Sequence, residues 1–454
     1  MAESAALPYR SRIRERRIPM VLPTIDTNGT LRHRAFFDEL ATTDEASEAW
    51  RAARAGLVTL RLLDAWSEDL VSGQVSLARM REREKAFKYE VDAVQSAIAE
   101  LPAKGAERRL LSTIVARVVE AQDGEPPRLV APLFAYARAL HVRSAWTLAA
   151  DLYALVWEAH IGETAIGPVD GDVATSAAIH MGACYRTIGE TELAAQAYRA
   201  AGVLAATRGD ERSVLRARLG EAKISAGRGD LSVARDGFWS IISGATGAEC
   251  GEVRAMAWHE LAHVAVQLGR YEDAITYAHE AWAAMTDVLE RERILVTLAT
   301  LLLQGGYPDV SREANALLAE TAREPITRWA ATVNLIEIAT IERRELDFMR
   351  HRRELAGAGL PPSLAAEFDY YVGQGHLAFG QPSLAAAAFD RAVAVAQRYG
   401  LAEVSQRAQA ARGALSAGRA LAPPKYTTVV PRPARVNRVA EAIHGARLLA
   451  AASG

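Results

Sequence analysis

From Val130 onward, small, aromatic and glycine positions recur about every 35 to 45 residues, and this restricts the fold of the chain more than any other feature. The clearest copy reads Trp258-x2-Leu261-Ala262-x2-Ala265, then Gly269-Arg270-Tyr271-Glu272-Asp273-Ala274, then Tyr277-Ala278 and Ala281. A second reads Met181-Gly182-x2-Tyr185, a turn at Gly189, then Ala194, Tyr198 and Ala201; a third reads Val372-Gly373, the turn Gly380-Gln381-Pro382, then Ala385, Phe389 and Ala392. Weaker copies lie at Tyr136-Ala137 with Ala149 and Tyr153, at Ala222 with Gly229, Ala234, Phe238 and Ile241, and at Leu298-Ala299 with Gly306, Ser311 and Leu318. A degenerate copy lies between Trp329 and Leu355. Each copy reads as two helices around a turn, with small residues where the helices touch and an aromatic filling the groove toward the next copy. Composition agrees: half the residues are hydrophobic and a quarter charged, Ala dominates, and strand-favouring runs are short, which suits helices.

This pattern resembles the tetratricopeptide repeat family, whose units place a large apolar residue, Leu, a small residue and an aromatic on a first helix. A glycine-containing turn follows, and then Ala, an aromatic and Ala on a second helix. The resemblance covers about Val130 to Leu401 in seven tandem copies. It implies an all-α fold, a right-handed superhelical solenoid of antiparallel helix pairs. It also implies a concave groove lined by residues two, five, nine, twelve and thirteen places into each unit. In this chain that register includes Phe134, Arg138, His141, Ile179, Arg186, Met256, His259, His263, Gln267, Tyr370 and Gln374. Such a mixture of apolar and hydrogen-bonding groups suits a peptide or protein segment better than a phosphate-rich ligand. Two departures stand out. Asp369 occupies a place where the family prefers a large apolar residue, and the basic candidates for a dicarboxylate clamp, Arg138, Lys223 and Arg293, fall in different repeats.

The periodicity divides the chain into an extended basic arm (1–31), an N-terminal helical region of three or four helices (32–128), the repeat array (129–401), a capping helix (402–421), and a proline-containing tail with a short amphipathic helix (422–454). The tail from Pro423 to Pro433 is expected to be extended, with Tyr426, Val429 and Val430 as anchors. The helix after it, Val436 to Ala451, offers Val436, Val439, Ile443 and Leu448 on one face with Arg435, Arg438 and Arg447 around it. A helix this short is unstable alone and should pack on the protein's own body, a second copy or a partner, so self-association through the termini is one expectation.

The segment His259-Glu260-Leu261-Ala262-His263 is a complete H-E-x-x-H, which on a helix sets two imidazoles one turn apart for zinc, with Glu260 as general base. The same residues are the packing positions of the best copy, and Val266 and Gly269 stand where a metzincin continuation needs Gly and His. His279 and Glu280 come next along the chain, on the second helix, so no metal or cofactor is expected. A net charge of −2 gives no global field for nucleic acid. The arm carries Arg10, Arg12, Arg14, Arg16 and Arg17 with little aromatic company, so nucleic acid is not expected as primary partner. Two cysteines, Cys184 and Cys250, make no disulfide framework. No signal-peptide core or membrane-length apolar run occurs, so a cytoplasmic location is expected. These features point to a non-catalytic scaffold or adaptor holding a partner segment in the groove. The alternative is a sensor or regulatory repeat protein acting on a separate effector, and a zinc metallopeptidase using the H-E-x-x-H segment is the last alternative.

Overall fold

The computed structural model describes residues 32–71, 77–121, 128–161, 166–419 and 431–453, with backbone alone at 66–71, 77–83 and 453. The expected basic arm and the tail residues 422–430, with Tyr426, Val429 and Val430, lie outside the described residues. The described residues form α-helices and one short 3-10 turn, with no strand among them. They fall into two compact units divided between Arg228 and Gly229.

Among the described residues of the first unit, four helices precede the repeats: α1 (Arg34–Thr42), α2 (Glu48–Val71), α3 (Leu77–Ala99) and α4 (Ala106–Glu120). The repeats begin with α5 (Val130–Val142), α6 (Trp146–Ile161), α7 (Gly171–Thr187), α8 (Thr191–Thr207) and α9 (Glu211–Gly227), each packed on its neighbour in sequence. Short turns between neighbouring helices make the pairs antiparallel. A continuous apolar core runs from Phe36 and Leu60 through Leu111 and Ile114 to Tyr136 and Tyr153, so the preceding helices cover what would otherwise be the open end of the first pair.

A polar pin ties α1 to α2 and α6. His33, in the left-handed region at φ 54°, is buried, with Nδ1 2.7 Å from Asp151 Oδ2 and Nε2 3.6 Å from Asp64 Oδ2. Asp64 also accepts from Arg32 at 2.9 Å. Burial disfavours the charged imidazole, but hydrogen bonds and charge from Asp151 and Asp64 outweigh it and raise the pKa from 6.5 to about 9. A raised folded-state pKa gives stability that is complete below the unfolded value, near 6.5, and is lost as pH rises through about 9. Unfolding of the first unit should therefore become easier by at most about 3 kcal/mol between roughly pH 6 and pH 10. His33→Gln should abolish that slope; denaturant titrations that show the same slope in the variant would remove this assignment.

The second unit contains α10 (Leu231–Gly244), α11 (Gly251–Gln267), α12 (Tyr271–Ala284), α13 (Val288–Gln304), α14 (Pro308–Thr321), α15 (Pro325–Ile341), α16 (Glu345–Leu355), α17 (Pro362–Ala378), α18 (Pro382–Arg398), α19 (Ala402–Ser416) and α20 (Ala434–Ser453). Four copies in the sequence become pairs in this unit, with α11, α13, α15 and α17 as first helices and α12, α14, α16 and α18 as second helices. The turn of the α11–α12 pair needs its glycine. Gly269 has φ 72°, and Arg270 N–H returns to the carbonyl of Ala265 at 2.8 Å, closing α11 in a Schellman motif. The small residues Ala262, Ala274, Ala278 and Ala281 are all fully buried. Trp258 and Tyr277 lie 5.4 Å apart, and Trp239 meets Trp258 edge-on at 5.0 Å. In the α13–α14 pair the small residue is Ser311, whose buried hydroxyl donates to the Ala299 carbonyl at 2.7 Å.

The helix after the array, α19, packs on α17 and α18 and covers the end of the last pair. The final helix, α20, lies on α12 and α14 of its own unit. Val436, Val439 and Ile443 are buried there and Ala446 and Ala450 pack beside them, whereas Leu448 is 60% exposed and does not join the apolar face as the sequence pattern suggested.

Candidate functional site: the first-helix faces

In the first unit, the register residues of α5 converge with groups that the sequence did not single out. Phe134 packs edge-on against Tyr153 at 5.5 Å and His180 at 6.0 Å. His141 stands 4.8 Å from Trp146 and 5.7 Å from His180, and its Nδ1 is 3.4 Å from Cys184 Sγ. Burial, with Arg216, His141 and Arg138 adding to it, lowers the His180 pKa to about 4. Burial pushes the Cys184 thiol up to about 12. A neutral imidazole and a protonated thiol at neutral pH make this an aromatic cluster rather than a nucleophile and its base. Arg138 is exposed and also lines an open cleft of about 560 Å³ with Glu48, Leu101, Glu107 and Arg143. On α7, Ile179 is buried in an apolar cluster with Ala178, Tyr198 and Ala201. Arg186 is half-buried and bonded to Tyr198.

In the second unit, Met256 and Gln267 are exposed near opposite ends of α11, with His259 and His263 between them. The two imidazole rings are 4.7 Å apart. His259 Nε2 lies 3.1 Å from Thr297 Oγ1 on α13. That hydroxyl also donates to the Arg293 carbonyl at 3.3 Å. Among the described residues no third His, Cys, Asp or Glu comes within ligand distance of this pair. His279 sits instead beside Trp282, with Arg438 of α20 close enough to disfavour its charge further after burial has done so. Arg293 is paired with Glu290 at 2.7 Å.

Further along, α15, α17 and α19 bring together a cluster of which only Tyr370 and Gln374 belong to the expected register. Gln374 Nε2 donates to Tyr370 Oη at 2.8 Å. The Arg407 guanidinium lies 4.4 Å from the Tyr370 ring centre and 5.7 Å from that of Tyr371, and donates to Tyr371 Oη at 3.4 Å. Glu337 is bonded to Tyr371; burial raises its carboxyl to about 7, against the opposing pull of Tyr371 and Arg407. Glu367 joins the same cluster, its carboxyl also raised by burial. Asp369, the departure from the family pattern, is held by Arg391 of α18 at 2.7 Å, so an ion pair replaces the usual apolar contact. Glu337, Tyr371 and Arg407 were not legible as a group because each sits on a different helix, α15, α17 and α19, and only stacking brings them together.

Helix pairing, glycine turns and small-residue contacts define this chain as a helix-pair repeat protein with a tetratricopeptide-like, all-helical repeat fold. No family model and no curated relative matches the sequence. Among solved structures it is similar to a tetratricopeptide repeat protein from Parabacteroides merdae, at 14% identity and a TM-score of 0.37 over 62% of this chain and 98% of that one. It is similar also to the apo form of the quorum sensor NprR from B. thuringiensis, at 12% identity and 0.38, over 85% and 92%. A third is a STAND signal-transduction ATPase with a tetratricopeptide repeat sensor from Pyrococcus horikoshii, at 13% and 0.47, over 81% and 55%. These are likenesses of helix-pair architecture and carry nothing about ligand or activity. No helix among the described residues is long and apolar enough to cross a membrane.

Proposed function

We propose that this chain is a non-catalytic binding protein that holds a peptide or protein segment along the first-helix face of its second unit. One observation carries the reading. The first helices α11, α13, α15 and α17, with α19 after them, offer half-buried polar groups bonded to neighbours yet still reaching solvent: His259 with Thr297, Gln374 with the buried Tyr370, and Glu337 with Tyr371 and Arg407. Exposed Met256 adds an adaptable apolar contact beside them. Preorganised side chains of this kind lose little freedom when an extended segment lies across them, and their spare donors and acceptors can read its backbone.

A regulatory role acting on a separate effector is favoured over a passive scaffold by the C-terminal helix, which already fills a second face of the same unit. Selection of a displayed peptide library on the full chain tests the binding reading. Met256→Ala and Tyr370→Ala together should weaken the selected peptides at least about ten-fold, whereas Ala substitution of exposed Leu384 on α18 should leave them unchanged. Equal affinity in all three chains, or selection of no peptide, would overturn it.

A further inference from the structure

The C-terminal helix lies in a furrow with its own chemistry. Val436, Val439 and Ile443 join the apolar core of α12, α13 and α14. Acidic side chains rim the furrow, and basic ones on or just before α20 meet them in order. Arg432 pairs with Asp309, Arg435 with Glu272 and with Asp273 at 2.8 Å, His444 with Glu313 at 3.6 Å, and Arg447 with Glu320 at 2.7 Å. Partners of Arg435 and Arg432 lie in the first turns of α12 and α14, and the partner of Arg447 lies in the last turn of α14. The helix therefore runs parallel to the two that hold it.

We propose that this furrow is a docking surface for a basic amphipathic helix of a partner protein, and that α20 is its exchangeable resident. The array does not need α20 to close: its end is covered by α19, and the small residues of α12 make their pairing contacts with α11. Three buried apolar side chains, with partly buried Ala440, Ala442, Ala446 and Ala450 beside them, and largely exposed ion pairs hold a helix of twenty residues, and such pairs are individually weak. Beyond Arg447 the contact thins: Ala450 still packs on the core, while Leu448 is 60% exposed. Most of a helix's stability in a protein comes from packing its apolar face, so an evicted α20 loses that support and can rebind. The occupant that fits has apolar residues at the spacing of Val436, Val439 and Ile443, with basic residues at the places of Arg435 and Arg447. Its hold on the chain as a tethered resident is a matter of effective concentration, so a partner must bind more tightly than a free copy of α20 or be abundant. This inference concerns the second helices and does not depend on the first-helix reading.

The test uses a fluorescent peptide with the sequence of residues 431–453, added to the full wild-type chain and to a full chain carrying Val439→Asp and Ile443→Asp, in which the resident helix cannot seat. The variant should take one peptide per chain at least about ten-fold more tightly than wild type, and the affinity should fall between about 50 and about 500 mM salt. Adding Glu272→Gln, Asp273→Asn and Glu320→Gln to the variant should weaken it again. A variant whose array melts like wild type but takes no peptide, or equal affinity of both chains, would overturn the proposal. Hydrogen exchange on the unaltered chain gives an independent reading: amides of α20 should exchange faster than those of α12 and α14, and equal protection in all three would make α20 part of the cooperative core and end the proposal.

Discussion

Replacing Ala274 by Arg should cost the second unit roughly 2 to 5 kcal/mol of stability, and denaturant unfolding will measure the loss. Ala274 is fully buried on α12. It lies where that helix approaches α11, and its neighbours Ala278 and Ala281 on the same face are fully buried too. An arginine there has no room along the contact and no acidic partner in a face made of alanines, so either the pair separates or a charge is buried unpaired. Ala274→Ser, which adds one atom and a hydroxyl able to bond back within the helix, should cost far less. A melting temperature for the arginine chain indistinguishable from wild type would mean that the pair is built in another register.

A second large loss is expected between α16 and α17. Phe348 is fully buried, with ring contacts to His376 at 5.4 Å and Phe379 at 5.3 Å, and Phe348→Ala should cost about 3 to 5 kcal/mol. Gly375 lies directly beneath that ring, and a Cβ built on it would enter the ring atoms. Gly375→Ala should accordingly destabilise by about 1 to 3 kcal/mol through overpacking. The two losses should not add, because truncating Phe348 empties the space that the new methyl needs; the double variant should recover about 1 kcal/mol or more relative to the sum. Additive losses in a double-mutant cycle would show that the glycine is there for another reason.

Legibility along the chain followed how local the cause was. The α11–α12 pair could be read residue by residue, because its turn uses a glycine in the left-handed region and its contact uses alanines, and both demands act within one pair of helices. The copy between Trp329 and Leu355 was faint because Arg343 takes the same left-handed place at φ 58°, where the other second-unit pairs use glycine. Its side chain is anchored by a 2.6 Å bond to the Ala378 carbonyl, a contact 35 residues away that no local pattern announces. Ser144, at φ 62°, does the same in the first pair, and that copy was weak for the same reason.

The candidate site divides in the same way. The repeat register alone placed His259 and His263 next to one another, since residues four apart share a helix face. It placed Tyr370 and Gln374 together for the same reason. That register said nothing of Glu337, Tyr371 and Arg407, or of His180 and Cys184 beside His141, because each group is assembled across stacked helices and the stacking angle decides which side chains meet.

By itself the sequence determined that this protein is all-helical, that its helices come in pairs, where their turns fall and which small residues lie between them, because helical period, turn chemistry and close contact are properties of short stretches of chain. It also determined that the last helix would carry an apolar stripe ringed by arginines. Only the tertiary structure decided that this stripe seats on α12 and α14 and leaves Leu448 exposed, that Glu337 sits where burial brings its carboxyl to about 7, and that Asp369 is held by Arg391. Each of these depends on which charges and surfaces are brought together from residues far apart in the chain, and that is a property of packing.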